Sequence, residues 1–308
     1  IPAKPLIVSE YGDWEYYAQN AGFNQDSWGD LKEEARTSRQ LLSHGEARLL
    51  QQARNVQEAH NDNLTTPAYA DGYWVMFDYN RGYANDLEAS GIMSIYRLPK
   101  YSYYFYQSQR PASEQSDKYQ SGPMVFIASE WQQGSSAQVR VFSNAEEVEL
   151  FLNGVLVSRN KPSTDKFSTH LPHPPFEFDV KEFEAGQLVA KAYIAGKEVA
   201  THQVTTPEAA ESLKLTVDTS GVAPVAGDLV FVYAQVLDKN GQPVPLNNQI
   251  IEFKASGDIE VINPEPAFTE QGKAAVLVKL GAEFSQAKLE ASSKVLAIQS
   301  EAISITKE

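Results

Sequence analysis

Two stretches decide the fold: Pro5-Leu6-Ile7-Val8-Ser9-Glu10-Tyr11-Gly12 and, further along, Gly72-Tyr73-Trp74-Val75-Met76-Phe77-Asp78-Tyr79. Residues 5–9 form a short continuous apolar run, the pattern of a strand buried on both faces. Residues 72–77 read as a second apolar strand of the same kind. Between them Leu31, Ala35, Leu41, Leu42, Leu49, Leu50, Ala53 and Val56 recur at near-helical spacing, with Gly45 dividing the stretch into two helices. Pro99-Lys100 then opens residues 101–109, aromatic and free of Gly and Pro, as a last helix with Pro at its first position. Strand–helix–strand–helix with buried strands specifies a parallel sheet, hence an α/β barrel or a doubly wound sheet.

Beyond about residue 110 the period changes from helical to two. Val139 and Val141, then Val148, Leu150 and Leu152, alternate with other residues, and Asn153-Gly154 is a hairpin signal because both central positions of a type I′ turn need positive φ. Residues 188–193, Gly196-Lys197 and Val199 read as another hairpin. The pattern predicts a β-sandwich over 111–207, with Thr205-Thr206-Pro207-Glu208 as a linker. A second, Ig-like sandwich over 208–308 carries a turn at Asp238-Lys239-Asn240-Gly241. The first 110 residues stand apart in composition, holding 18 of the 33 aromatics and three of the four tryptophans.

The 308 residues carry 40 acidic and 26 basic side chains, a net charge of −14. That balance argues against non-specific binding to nucleic acid or anionic lipid, which needs clustered Lys and Arg. No apolar run approaches the roughly 20 residues that span a bilayer. There is no cysteine, which excludes disulfides, thiolate metal sites and a Cys nucleophile. No phosphate-cradling glycine loop and no nucleophile-elbow motif occur, so no cofactor is implied.

Glu10 is the leading chemical candidate. It sits just past the end of an apolar strand, where the active sites of α/β barrels gather, beside Tyr11 and Trp14. Sugar rings pack their C–H faces on aromatic rings, and a developing oxocarbenium charge needs a nearby anion. A solvated loop glutamate meets the same positional criterion. Trp74 and Asp78 lie in and just after the second strand, where the tryptophan would floor a sugar subsite; a core tryptophan and a turn-capping aspartate fit equally. His170 and His173 flank Leu-Pro in a proline-rich loop without nearby carboxylates, so they read as loop residues and no metal site is expected.

At these residues the sequence resembles glycoside hydrolase family 2, the β-galactosidase-like retaining glycosidases. Residues 5–12 resemble the family's strand-seven motif, whose glutamate is the nucleophile, and this maps to Glu10. Residues 72–79 resemble strand eight, whose tryptophan lines the subsite of the cleaved sugar. Ser90-Gly91-Ile92 with residues 99–104 is similar to the closing segment before the last barrel helix, with Ser94 where the family often has Asp. Residues 139–154 (VRVFSNAEEVELFLNG) and 228–245 (DLVFVYAQVLDKNGQPVP) are similar to the modules that follow the barrel.

The resemblance implies the C-terminal portion of a (β/α)8 TIM barrel in residues 1–110, followed by the two sandwiches. It implies part of an exo-acting retaining β-glycosidase with Glu10 as nucleophile, Trp74, Asp78, Tyr11 and Trp14 shaping the sugar site, and β-linked oligosaccharide as substrate. Retaining hydrolysis needs a second carboxyl group about 5–5.5 Å from the first, and no residue here matches the acid/base motif. The chain is therefore expected to be inactive alone and to need the N-terminal part of the same enzyme. The alternative is a non-catalytic carbohydrate-binding or scaffold module. A homo-oligomer is compatible with the sequence, and export to the periplasm or outside the cell fits polysaccharide-degrading relatives.

Overall fold

A computed structural model describes residues 4–12, 40–82, 87–263 and 266–306. The chain divides into two compact units at Thr206/Pro207.

In the first unit, strand β1 (Ile7–Tyr11) pairs in parallel with β2 (Ala70–Tyr73) as a two-stranded sheet. The connection contains helix α1 (Glu46–Asn63), preceded by a 3-10 turn at Leu42–His44. Gly45, at φ 83°, breaks the chain between them, as the sequence predicts. The other predicted helix, with Leu31 and Ala35, lies outside the described residues. Leu49, Ala53 and Val56 form the buried stripe of α1, but Gln51, Gln52, Asn55, Gln57 and Asn61 are buried too. A helix buried on several sides must satisfy those amides internally. Gln52 Nε2 donates to Gly91 O at 2.9 Å and Gln57 Nε2 to Phe167 O at 3.1 Å. Glu46, in the first turn, accepts from Glu130 N at 2.6 Å and Ser135 Oγ at 2.8 Å. These bonds fasten α1 to both the sheet region and the sandwich.

The second strand is shorter than expected and shifted toward the N-terminus. Past Tyr73 the chain bends through a cis Trp74–Val75 peptide, and Phe77 makes only an isolated bridge to Met93. Short ribbons β3 (Tyr79–Asn80) and β4 (Leu87–Glu88) pair antiparallel, and α2 (Tyr101–Ser108) follows. Lys100 is the N-cap of α2, so Pro99 precedes the helix instead of opening it. No closed barrel is present among the described residues.

Strands β5 (Val125–Ile127), β6 (Gln138–Ser143) and β9 (Phe176–Asp179) form one sheet, in the order β5-β6-β9. Strands β7 (Glu147–Leu152), β8 (Val155–Asn160), β10 (Gln187–Ile194) and β11 (Lys197–Thr205) form the other, in the order β11-β10-β7-β8. Val139, Val141, Phe176 and Phe178 from the first sheet meet Val148, Leu150, Leu188 and Ala190 from the second. The β7–β8 turn has Asn153 at φ 52° and Gly154 at φ 79°, the type I′ geometry predicted from the dipeptide. The β10–β11 turn uses Ala195-Gly196, one residue earlier than expected, with φ 49° and 75°. Trp131, the one tryptophan beyond the first 110 residues, is fully buried and packs 5.1 Å from the Phe183 ring.

The second unit is a sandwich of two four-stranded sheets. One contains β12 (Ala210–Asp218), β13 (Leu229–Asp238), β17 (Lys273–Leu280) and β15 (Ile259–Val261); the other contains β16 (Ala267–Phe268), β14 (Ile250–Ser256), β18 (Lys288–Ser293) and β19 (Ile298–Gln299). Val232, Val236, Val276, Val278, Ile251 and Leu289 fill its core. The predicted turn closes on Asp238, whose carboxylate accepts from Asn240 N at 2.8 Å and Gln242 N at 2.9 Å.

Candidate active site

The register of the parallel pair determines where Glu10 faces. Val8 pairs with Asp71 and Tyr11 with Tyr73, so Ser9 and Glu10 together oppose the single residue Gly72. That is a β-bulge, a device that re-aims side chains near functional sites. Asp71, Tyr73 and Tyr11 all reach toward the helices. Asp71 Oδ2 lies 2.8 Å from His60 Nδ1 on α1, Tyr11 OH lies 2.7 Å from Tyr106 OH on α2, and the Tyr11 and Tyr73 rings meet edge to face at 5.5 Å. In a regular strand Glu10 would share a face with Val8 and turn to the helices as well. With the extra residue, Ser9 and Glu10 are both exposed while Val8 and Tyr11 are half-buried. A Cβ on Gly72 would stand 2.9 Å from Ser9 O, so the bulge needs glycine opposite it.

Trp74 follows Tyr73 at the same end of the sheet, tied to β1 by Trp74 N donating to Tyr11 O at 2.6 Å. It is 38% exposed. Its ring stands edge-on to Tyr79 with centroids 6.0 Å apart, and Nε1 donates to Tyr79 OH at 3.3 Å. An exposed indole and an exposed carboxylate thus share the C-terminal end of one parallel ribbon. The sheet around them is bare: β1 and β2 pair only with each other among the described residues, and Leu6, Ile7 and Met76 are exposed.

The other predicted site residues lie elsewhere. Tyr11 packs with the helices, and burial holds its phenol well above the usual range. Burial works against an ionised Asp71, but the hydrogen bond and charge of His60 outweigh it and leave the pKa lowered. Asp78 is entirely enclosed. Its Oδ1 accepts from Lys100 Nζ at 2.7 Å, and both side chains are 0% exposed. Burial pushes its pKa up to about 6 against the pull of Lys100. Asp78 is therefore enclosed in the interior and presents no side-chain surface to a ligand. Trp14 lies outside the described residues. His170 Nδ1 is 2.9 Å from Thr169 Oγ1, and no group of three or more metal-ligating side chains gathers among the described residues.

Sequence reading missed the closing-segment clamp. The carbonyls of Ala89, Ser90 and Gly91 are each capped by a side chain from a different element: Lys100 Nζ at 2.9 Å, Tyr73 OH at 2.5 Å and Gln52 Nε2 at 2.9 Å. The available signal was Lys100 itself, a lone charge at the head of an aromatic helix.

Residues 134–200 match a family described only as a domain of unknown function, DUF4982. A β-galactosidase of Thermoanaerobacter pseudethanolicus is 34% identical over 244 residues, covering 74% of this chain and 32% of the relative. A β-galactosidase of Bacteroides ovatus is 29% identical, covering 72% and 27% respectively. Over the matched residues the chain is similar to β-galactosidases and β-glucuronidases of glycoside hydrolase family 2. Its fold agrees: a solved β-glucuronidase of family 2 superposes with a TM-score of 0.66 at 20% identity, over 98% of this chain and 31% of that one. The chain spans about a third or less of the length of these family members.

Proposed function

We propose that this chain carries the nucleophile of a retaining exo-β-glycosidase, with a terminal β-galactoside as substrate. In this reading residues 1–110 are the last two strand–helix units of a (β/α)8 barrel, and 111–207 and 208–308 are the sandwich modules that follow it. The observation that carries the proposal is the bulge, which exposes Glu10 on the face away from the helices, at the same strand ends as the exposed Trp74. A lone parallel ribbon with apolar side chains on its open face also suits the edge of a larger barrel. The galactoside is supported by the names of the relatives.

Glu10, ionised, attacks the anomeric carbon while a second carboxyl group, supplied from outside these residues, protonates the departing oxygen. The glycosyl ester on Glu10 is then cleaved by water, which gives its proton to that second group. Trp74 packs against the C–H face of the sugar, and Tyr79 fixes the indole plane. In the complete polypeptide, a 2-deoxy-2-fluoro-β-galactoside with a good leaving group should esterify Glu10, read as a mass increment on the peptide containing it. Labelling of another residue refutes the nucleophile assignment. Binding without any label favours a carbohydrate-binding module. The 308 residues alone should not turn over aryl β-galactosides above background.

A further inference from the structure

A cavity of about 440 Å³ lies between α1, strands β6 and β9, and the loop over residues 161–175. It falls within the roughly 300–1,000 Å³ of small-molecule sites, and none of Glu10, Trp74 or Asp78 lines it. We propose that it binds a neutral mono- or disaccharide, and that this is a function of the DUF4982 region. The proposal does not rest on the role of Glu10.

The cavity is preformed. Gln57 on α1 donates to Phe167 O at 3.1 Å and to Ser168 Oγ at 3.0 Å, and His170 N donates to Asn61 Oδ1 at 2.9 Å. The long loop is thereby pinned across the helix. Long loops without secondary structure in compact domains are uncommon unless they serve a function.

One lining group lacks a partner. Arg140 is 6% exposed; its Nη1 donates to Gln57 Oε1 at 2.8 Å and its Nη2 pairs with Glu177 Oε1 at 2.5 Å. Its Nε–H is buried without an acceptor, and Gln57 and Glu177 hold the guanidinium in place at the cavity wall.

Charge selects the class. Arg54, Arg140 and Lys166 are matched in the lining by Glu58, Asp165 and Glu177, so the walls carry no net charge. A phosphate or a uronate meets as much repulsion as attraction there. A polyol uses both signs, donating its hydroxyls to carboxylates and accepting from guanidinium and amide groups. Gln57 and Gln138 add planar amides, and the half-buried Phe167 supplies the aromatic wall on which a pyranose C–H face packs. Lys166 Nζ lies 4.5 Å from the centroid of that ring.

The test uses the full 15N-labelled chain with methyl β-D-galactopyranoside and lactose as probes and glucuronate as the charged comparison. Either neutral probe should shift the side-chain 1H–15Nε resonance of Arg140 and the amides of Lys166 and Phe167 along one saturable curve. Phe167→Ala should weaken binding at least tenfold, and so should Gln138→Ala, an exposed position whose replacement leaves the core intact. Trp74→Ala should leave the curve unchanged, which separates this cavity from the Glu10 site. Three results overturn the proposal: no saturable shift, a shift that survives both cavity variants and disappears with Trp74→Ala, or glucuronate binding more tightly than the neutral sugars.

Discussion

Replacing Lys100 with methionine should destabilise the first unit far more at pH 8 than at pH 5. The Lys100–Asp78 pair is 2.7 Å long and both side chains are 0% exposed. Removing one partner of such a pair typically costs about 3–5 kcal/mol, because the other charge stays buried and uncompensated. The variant has an escape: Asp78 can take up a proton. Its folded pKa is already raised to about 6 by burial, and losing the lysine raises it further.

A carboxyl raised in the folded state contributes stability fully below its unfolded pKa and loses it as pH rises through the folded one. Holding Asp78 neutral against an unfolded pKa near 3.9 costs about 1.5 kcal/mol at pH 5 and about 5.6 kcal/mol at pH 8, at roughly 1.36 kcal/mol per unit. The parent, with its folded pKa of about 6, already carries about 1.5 kcal/mol of this at pH 5 and about 2.9 kcal/mol at pH 8, so the added penalty in Lys100→Met should be small at pH 5 and reach about 2.7 kcal/mol at pH 8. All four tryptophans lie in the first unit, so tryptophan fluorescence during guanidinium unfolding reports on that unit alone. The double variant Lys100→Met/Asp78→Asn should recover most of the loss at pH 8. Equal penalties at the two pH values, or a double variant as unstable as the single one, would refute the reasoning.

Three other outcomes follow from the same structure. Glu10→Ala in the complete polypeptide should lower kcat/KM for an aryl β-galactoside by about 10³-fold or more, the scale on which catalytic groups act, with little change in the unfolding midpoint; an unaltered rate rejects the assignment. Trp131→Ala, which empties a fully buried site in the sandwich core, should cost about 3–5 kcal/mol, measured by guanidinium unfolding followed through circular dichroism. Gly91→Ala should cost about 3 kcal/mol, because the added Cβ would stand 2.3 Å from Asp78 N; a variant as stable as the parent shows that this backbone yields freely.

What the sequence made legible was whatever rests on local periodicity. The break at Gly45 and the Asn153-Gly154 hairpin each depend on a few neighbouring residues and formed as read. The apolar run at residues 5–9 gave a strand, but displaced to Ile7–Tyr11, with Glu10 inside it and with Ile7, Ser9 and Glu10 exposed instead of buried. The second strand was read too long because Trp74 to Phe77 are apolar, yet after Tyr73 the chain leaves the ladder, and no pattern of side-chain type records where hydrogen bonding stops. Trp131 stands outside any alternating run, so no local pattern marks it as core; its environment comes from Phe183, distant in sequence. The buried glutamines of α1 were invisible for a related reason. Their partners are carbonyls near residues 91 and 167, and polar residues satisfied by distant backbone look like a solvent face. For the site, residue type pointed to Glu10 and Trp74. Assigning Tyr11 to the helix side and Asp78 to the interior required the register and the lysine beneath.

The extra residue in β1 separates the identity of the carboxylate from its aim. Deleting Ser9 would leave Glu10 opposite Gly72 in an unbroken ladder, outward as before, but on a straighter strand whose carboxyl group projects along a different line. A polypeptide could thus keep every functional group and every buried contact of this ribbon and still miss the anomeric carbon. Strand length at this one place is a trait that selection can act on separately from composition.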